Sequence, residues 1–148
     1  MSTRNALPLS ATHLVRDNCL CLHVQRAARG LARRFDDVFR PLGLTHGQFS
    51  LLMSLNRPEP PTIGSVAALL AMDRTTLTAA LKPLERRKLV KVSIDMEDKR
   101  NRRLAITSAG RTLLVKAFPL WTQTHAKIER LIPRGSADEL REALRSFA

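Results

Sequence analysis

Apolar residues recur at two spacings along this chain, and the spacings predict several helices and one pair of short strands. The longest helical pattern lies in residues 17–39 and extends to Leu42, with apolar residues at intervals of three or four. These residues are Leu20, Val24, Ala27, Leu31, Phe35, Val38 and Leu42. Such intervals place them on one face of a long helix, which we expect Pro41 and Gly43 to end. Residues 1 to about 13 have no periodicity, and we expect them to form a loose arm.

Three polar residues mark the predicted starts of three shorter helices. Thr45, Thr62 and Asp73 each precede an apolar stretch. A short polar side chain at that position accepts hydrogen bonds from the free amides of a first helical turn. A proline-rich turn over residues 56–61 separates the first two of these helices. Two short helices, a tight turn and a capped helix with a polar leading face predict a helix-turn-helix.

A β-hairpin is predicted directly after the third of these helices. Val90, Val92 and Ile94 alternate with polar residues, as in a half-buried strand. The alternation returns at residues 104–106, after a polar run over residues 95–103. Two strands around a charged loop form a wing, so this part of the chain predicts a winged helix-turn-helix.

Two further helices are predicted in the C-terminal third. Residues 107–110 begin a long helix, which Pro119 should bend or interrupt. Ser136 caps a last short helix with apolar residues on one side. Pro83 should kink the third helix of the helix-turn-helix region. The prediction is a single domain over residues 1–148, mainly α with a small β-hairpin wing.

The chain carries a net charge of +12, and half of it lies in one segment. Residues 74–103 contain ten basic and four acidic residues, a net charge of +6. A polar helix start backed by lysine and arginine suits the major groove of DNA, and an arginine-tipped hairpin suits the minor groove. The alternatives are a solvated amphipathic helix with an exposed hairpin and a basic module for another polyanion.

Other function classes find less support in the sequence. An enzyme is not indicated, because the chain has no nucleophile elbow, no phosphate-cradling glycine loop and no metal-ligand spacing. Modules for single-stranded RNA or membrane surfaces use exposed aromatic residues, and aromatic residues make up only 4% of this chain. We therefore expect no catalytic site, no cofactor, no metal and no membrane partner.

The N-terminus and the cysteines indicate a cytoplasmic protein. The first residues lack the pattern of a signal peptide, and no apolar run reaches the roughly 20 residues of a membrane span. Cys19 and Cys21 would then be reduced thiols. Two residues apart on a helix, they point to nearly opposite sides and cannot readily pair within one chain.

With these elements in this order, the chain resembles the MarR family of bacterial transcriptional regulators from about residue 17 to residue 147. The most specific part is the wing, in which Asp95-x-x-Asp98-x-Arg100 is followed by LAITSAG at residues 104–110. This segment is similar to the family's D-x-x-D-x-R wing tip and its L-T-x-x-G exit. The resemblance implies that Asp98 braces Arg100 and that Arg100 enters the minor groove.

The resemblance also implies a homodimer that binds a palindromic site on double-stranded DNA, by default as a repressor. Its dimerisation helices would lie at about residues 14–42 and 108–148, and its DNA-binding lobe at about residues 45–106. The predicted DNA contacts lie on the recognition helix and the wing; they are Arg74, Thr75, Thr76, Thr78, Lys82, Lys99, Arg100 and Arg102. Residues 86–88 are expected to meet phosphates or solvent rather than bases.

The resemblance implies two alternative kinds of signal. Family members change DNA affinity when a small molecule, often an aromatic acid, binds between the dimerisation helices and the DNA-binding lobe. Candidate lining residues are Phe35, Phe39, Phe49, Met53 and Trp121, with ordinary core packing as the alternative reading.

The second signal is oxidation of a thiol. Leu20-Cys21-Leu22 looks like the L-C-F of the family branch that senses organic hydroperoxides, which makes Cys21 a candidate redox residue. The alternative is that Cys19 and Cys21 are buried structural thiols.

Overall fold

The computed structural model describes residues 6–148, which form seven α-helices, a short 3₁₀ helix and a two-stranded antiparallel hairpin. The elements are α1 (Leu9–Asn18), α2 (Leu20–Phe39), a 3₁₀ helix (Arg40–Leu42), α3 (His46–Ser54), α4 (Ile63–Leu69), α5 (Arg74–Arg86), β1 (Val90–Ile94), β2 (Arg102–Ile106), α6 (Ser108–Glu129) and α7 (Ala137–Arg145). This order confirms the predicted mainly α fold with a hairpin wing. Within residues 6–148, no helix has both the length and the apolar character needed to cross a bilayer.

The N-terminal region differs from the prediction. The expected loose arm is wrong for residues 9–13, which belong to α1, while residues 1–5 lie outside the described residues. The helix expected from residue 17 is divided at Cys19, whose backbone is extended and whose Sγ accepts a hydrogen bond from the amide of Leu22 at 3.5 Å. Periodicity missed α1 because that helix buries no residue against its own chain.

Polar N-caps begin the helices at the predicted residues. The side chains of Thr45, Thr62, Asp73 and Ser136 accept hydrogen bonds from the amides of Gln48, Ser65, Thr76 and Glu139, in that order. At Thr45 and Ser136 the third helical residue also bonds back to the cap, which completes a capping box. Each cap fixes the residue at which its helix starts, and therefore which side chains lie in the first turn.

The apolar core lies under the helix-turn-helix and reaches into α2 and β2. Its largest fully buried side chains are Phe39, Leu52, Leu55, Val66, Leu77, Leu81, Leu84 and Leu104. The predicted stripe on α5 is therefore confirmed at Leu77, Leu81 and Leu84. α6 packs against the same core through Leu114 and Ala117.

Both helix-interior prolines are accommodated without a break. α6 runs continuously through Pro119, and α5 runs through Pro83 in its last turn. Proline removes one backbone hydrogen bond to the carbonyl four residues earlier. For Pro119 that carbonyl belongs to Val115, which is 73% exposed, so water can take the place of the missing amide. Of the bend or interruption expected at Pro119, the interruption is therefore wrong.

The hairpin pairs Val90 with Ile106, Val92 with Leu104 and Ile94 with Arg102. The inward-facing alternation predicted for β1 weakens along the strand, because Val90 is buried, Val92 is half-buried and Ile94 is 53% exposed. The strand therefore leaves the core as it approaches the wing tip.

Candidate nucleic-acid interface

The start of α5 is held by a pair of hydrogen bonds to Asp73. Asp73 Oδ1 accepts from the amide of Thr76 at 2.7 Å, and Asp73 Oδ2 accepts from the Thr76 hydroxyl at 2.8 Å. These bonds from Thr76 lower the pKa of Asp73 below its usual value, because they favour the charged carboxylate. The first turn of α5 is thus rigid at neutral pH.

The five predicted contact residues of α5 are all exposed in the structure; they are Arg74, Thr75, Thr76, Thr78 and Lys82. The hydroxyls of Thr76 and Thr78 donate to Asp73 and to the carbonyl of Arg74, respectively. Each hydroxyl has one proton, and that proton is already used in these bonds. The two side chains can therefore offer only acceptor lone pairs and a methyl group to a molecule that binds this face.

Arg74 lies across the preceding helix. A Cβ atom on Gly64 of α4 would stand 2.9 Å from Arg74 Nη2, so the guanidinium lies close against the backbone of α4. The side chain of Arg74 is exposed at this place.

The wing tip is built around two aspartates with different partners. Asp95 Oδ1 accepts from the amide of Glu97 at 3.1 Å, and Asp98 Oδ1 accepts from the amide of Arg100 at 3.0 Å. Asp98 thus holds Arg100 through its backbone amide. The resemblance implied that Asp98 braces Arg100 but did not specify which atoms of Arg100 it contacts. The guanidinium of Arg100 is left exposed beside the exposed side chains of Lys99 and Arg102.

Arg103 anchors the wing and was not among the predicted site residues. Its Nη2 lies 3.3 Å from Asp95 Oδ2, and its Nη1 donates to the carbonyl of Pro60 at 3.0 Å. Next to it, the amide of Leu104 donates to the carbonyl of Pro61 at 2.9 Å. The wing is therefore fastened to the proline-rich turn. The sequence offered only one signal for this arrangement, an acidic residue at the base of a basic loop.

Hydrogen bonding and charge both stabilise the ionised form of Asp95. The amide of Glu97 lowers the pKa of this carboxyl most, and Arg103 lowers it further. The side chain of Asp95 is only 8% exposed, while that of Arg103 is 34% exposed. The carboxylate of this ion pair is therefore shielded from solvent, whereas the guanidinium is partly exposed.

Four of the five predicted ligand-pocket residues come together, but as packed core; Met53 does not join them. Phe35, Phe39 and Phe49 are buried, Trp121 is half-buried and Met53 is exposed. Ring centroids are 4.8 Å apart for Phe39 and Phe49, and 6.5 Å apart for Phe49 and Trp121. A ligand at this place would have to displace these rings.

The two cysteines occupy different environments. Cys19 is the half-buried N-cap of α2, and Cys21 is exposed, with the side-chain amide of Gln25 donating to its Sγ at 3.2 Å. The alternative of two buried structural thiols is therefore wrong. Over residues 6–148, no three His, Cys, Asp or Glu side chains are grouped as a metal site would need.

Comparison with known proteins supports the winged helix-turn-helix fold and places the chain in a family. A model of the MarR family matches residues 44–101, from the start of the helix-turn-helix region to the wing. The transcriptional regulator MosR of M. tuberculosis, solved in complex with DNA, is 35% identical and superimposes with a TM-score of 0.80, covering 88% of this chain and 93% of that one. The chain belongs to the MarR family.

Other MarR-family relatives cover similar shares of the chain. The transcriptional repressor CouR of Rhodococcus jostii RHA1, bound to a 23-mer DNA duplex, is 26% identical over 97% of this chain and 96% of that one, with a TM-score of 0.71. The organic hydroperoxide resistance transcriptional regulator of Bacillus subtilis is 28% identical over 108 residues, which are 73% of this chain and 74% of the relative. The protein is a DNA-binding transcriptional regulator and not an enzyme.

Proposed function

We propose that this MarR-family regulator binds a palindromic operator as a homodimer in the cytoplasm and represses transcription until a small molecule lowers its affinity for DNA. Each protomer would place the start of α5 in a major groove and the wing tip in the neighbouring minor groove. The proposed DNA contacts are Arg74, Thr75, Thr76, Thr78, Lys82, Lys99, Arg100 and Arg102, with Asp98 holding the backbone of Arg100.

One observation carries the proposal: exposed basic side chains cover both α5 and the wing tip in a chain that is 35% identical to a regulator solved with DNA. A basic surface that was only solvated would not need basic side chains on both α5 and the wing tip. Repression is the direction supported by CouR, which is a transcriptional repressor.

Exposed apolar residues near both ends of the chain support dimerisation. They are Leu9, Leu14, Val15, Leu20, Val24, Leu31, Leu131, Leu140, Leu144 and Phe147. Apolar surface on this scale marks an interaction surface rather than a solvated one. We therefore assign about residues 14–42 and 108–148 to dimerisation and about residues 45–106 to the DNA-binding lobe.

Sedimentation equilibrium tests the dimer. Leu144→Glu places a charge in the proposed interface and should shift the protein from dimer to monomer. Leu69→Glu makes the same change at an exposed leucine of α4, outside the proposed dimerisation helices, and should leave the dimer intact. An undisturbed dimer for Leu144→Glu would contradict the assignment.

A groove beside the aromatic core is a candidate binding site for the small molecule that acts as the signal. In the single protomer, this groove of about 670 Å³ lies between α2, α6 and α7, lined mainly by apolar residues such as Leu31, Ile128 and Leu140, with His125 and Arg141 as polar groups. Leu31 and Leu140 are also assigned to dimerisation, so a ligand in this groove would lie at the proposed dimer interface. The size of the groove suits a drug-sized or aromatic ligand, and CouR has been solved with p-coumaroyl-CoA. The predicted pocket residues Phe35, Phe39, Phe49, Met53 and Trp121 do not line this groove, but His125, which does, stacks on Trp121 with ring centroids 4.6 Å apart.

Thiol oxidation is the alternative signal, favoured by the exposure of Cys21. The Cys21 thiol sits in an apolar groove of about 260 Å³ with Leu20, Val24 and Phe147, and the Bacillus subtilis relative is an organic hydroperoxide resistance transcriptional regulator. The thiolate would take one oxygen atom from a hydroperoxide, forming a sulfenic acid and releasing an alcohol. A Cys21→Ser protein that still leaves DNA on hydroperoxide treatment would exclude Cys21.

Fluorescence anisotropy tests the proposed function itself. The intergenic DNA next to the protein's own gene is titrated at two salt concentrations, with shuffled DNA as the control. Tight, sequence-dependent binding of one dimer per site supports an operator-binding regulator. Weak binding that is equal on both DNAs and collapses with salt would favour a general polyanion module.

A further inference from the structure

We infer that Arg87 is a positioning residue that fastens the end of the recognition helix to the end of α2. Arg87 is the C-cap of α5, and its guanidinium reaches the loop that follows the 3₁₀ helix. There it donates through Nη1 to the carbonyl of Gly43 and through Nη2 to the carbonyl of Leu42 at 3.3 Å. Arg87 is exposed, in keeping with the expectation that it meets phosphate or solvent, but its guanidinium is also hydrogen-bonded within the protein.

Gly43 supplies the space and the backbone shape for this contact. Its φ of +64° lies in the left-handed region, where the chain turns back after the 3₁₀ helix and the amide of Gly43 bonds to Arg40. A Cβ atom at this position would stand 3.3 Å from Arg87 Nη2. Any other residue would meet both a strained backbone and the guanidinium.

A positive charge is electrostatically favoured beside the carbonyls of Leu42 and Gly43. The last carbonyls of a helix have no amide partners and form its negative end. The carbonyls of Leu42 and Gly43 close the continuous run of α2 and the 3₁₀ helix, and Arg87 supplies two charge-assisted donors to them.

The same end of α5 is also attached to the start of α6. The Thr107 hydroxyl donates to the carbonyl of Lys88 at 2.7 Å, and the Thr107 amide donates to the carbonyl of Leu89 at 3.0 Å. A Cβ atom on Gly110 would stand 2.5 Å from that Leu89 oxygen, so α6 approaches as closely as glycine permits. Arg87 is the attachment towards α2, and it depends on one exposed side chain.

The consequence concerns the distance between the two recognition helices, and it rests on the proposed homodimer. A dimeric helix-turn-helix protein prefers one spacing of its half-sites, because its recognition helices are held at one separation. Arg87 ties the angle of α5 to α2, a proposed dimerisation helix. Without Arg87, only the shared apolar core holds the end of α5 towards α2, so the angle of α5 is less fixed and the preference for one spacing weakens.

Half-site spacing gives the test. Duplexes are first selected by the wild-type protein from a random-sequence library, and the selected site is then rebuilt with one base pair removed or added between its halves. Arg87→Met keeps the length of the side chain and removes its donors. We expect the ratio of affinities between selected and altered spacing to fall roughly threefold to tenfold. The slope of affinity against salt should stay unchanged, because no phosphate contact is lost.

Arg86→Met is the matched control. The side chain of Arg86 is exposed and makes no hydrogen bond with other side chains or carbonyls of residues 6–148, so this variant loses the same charge and should keep the spacing preference. An Arg87→Met protein that keeps the wild-type spacing ratio would overturn the inference. So would an equal loss at every spacing with a shallower salt slope, the signature of a phosphate contact.

Hydrogen exchange of residues 40–45 in the free protein gives a second readout that needs no DNA. Arg87→Met should speed exchange in this segment, and Arg86→Met should not. Unchanged exchange in Arg87→Met would overturn the inference. A wild-type protein that selects no paired half-sites would instead contradict the proposed function, while the exchange measurement still decides the role of Arg87.

Discussion

Arg103 and Asp95 hold the wing against the helix-turn-helix. Arg103 Nη2 lies 3.3 Å from Asp95 Oδ2, while Nη1 of the same guanidinium bonds to the Pro60 carbonyl. One side chain thus links the tip of the wing to the turn before α4. The exposed cations of the wing tip depend on this link for their position relative to α5.

Arg103→Met should therefore weaken DNA binding although its guanidinium is engaged within the protein. The wing would lose its link to Pro60 and Asp95, and we expect affinity for the selected DNA to fall about threefold to tenfold. Anisotropy titrations measure the loss. Asp95→Asn, which removes the ion pair but leaves the Pro60 bond, should have a smaller effect; equal affinity for wild type and Arg103→Met would refute the link.

Acidity should loosen the same link. The folded-state pKa of Asp95 is lowered, so its contribution to stability is present above the unfolded pKa of about 3.9 and is lost as the pH falls through the folded pKa. Thermal unfolding followed between pH 6 and pH 3 should show the melting temperature fall less steeply for Asp95→Asn than for wild type. Parallel curves for the two proteins would contradict this.

The sequence predicted elements that carry a strong local signal. Leu77, Leu81 and Leu84 recur at helical spacing, and Asp73 has the chemistry of an N-cap, so both α5 and its start could be read from the residues alone. Arg103 and Arg87 could not, because each bonds to a carbonyl more than 40 residues away in the chain. Such contacts depend on how loops approach in the fold, and any exposed arginine looks the same in sequence.

The break between α1 and α2 at Cys19 shows a second limit of prediction from the sequence. The apolar stripe of α2 predicts a helix, but it does not fix where the helix starts, and the extended backbone of Cys19 interrupts an otherwise helical stretch. α1 was missed because its apolar residues face away from the protein's own core.

Ala71 occupies a left-handed backbone position in the turn of the helix-turn-helix, with a φ of +51°. A residue with a Cβ atom is strained there by roughly 1–2 kcal/mol, so Ala71→Gly should raise the free energy of unfolding by up to about 1 kcal/mol after the entropy cost of glycine. Urea unfolding measures the change.

Ala68→Gly is the matched control for that prediction. Ala68 is an exposed residue of α4 with ordinary helical backbone, and the same substitution there should lower the free energy of unfolding by about 1 kcal/mol. Destabilisation of similar size at both positions would mean that Ala71 is not strained.

His46 should make stability depend on pH near neutrality. Burial lowers the pKa of His46, and Asp36 opposes this shift only in part. Because the folded pKa lies below the unfolded value of about 6.5, this contribution is complete above pH 6.5 and is lost as the pH falls towards the folded pKa. Its limit is about 1.4 kcal/mol per pH unit for one group.

Urea unfolding at pH 7.5 and pH 5.5 tests His46. His46→Gln removes the titrating ring and keeps the hydrogen bond from the backbone amide of residue 46 to Asp36. The loss of stability between the two pH values should therefore be smaller in this variant than in wild type. An identical loss in both proteins would assign the pH dependence to other groups.

Arg100 provides the direct test of the wing tip. Its guanidinium is exposed while its backbone is held by Asp98, which leaves the side chain free to enter a minor groove. Arg100→Ala should weaken DNA binding and reduce the slope of log affinity against log salt by about 1, since one groove-bound cation is lost.

Lys116→Ala removes the same charge from an exposed position of α6, away from the proposed DNA contacts, and should leave the salt slope near its wild-type value. The comparison separates a local contact from the general effect of net charge, which changes equally in both variants. Arg100→Ala with wild-type affinity and slope would show that the wing tip does not enter the DNA, and the basic surface on α5 would then have to account for binding alone.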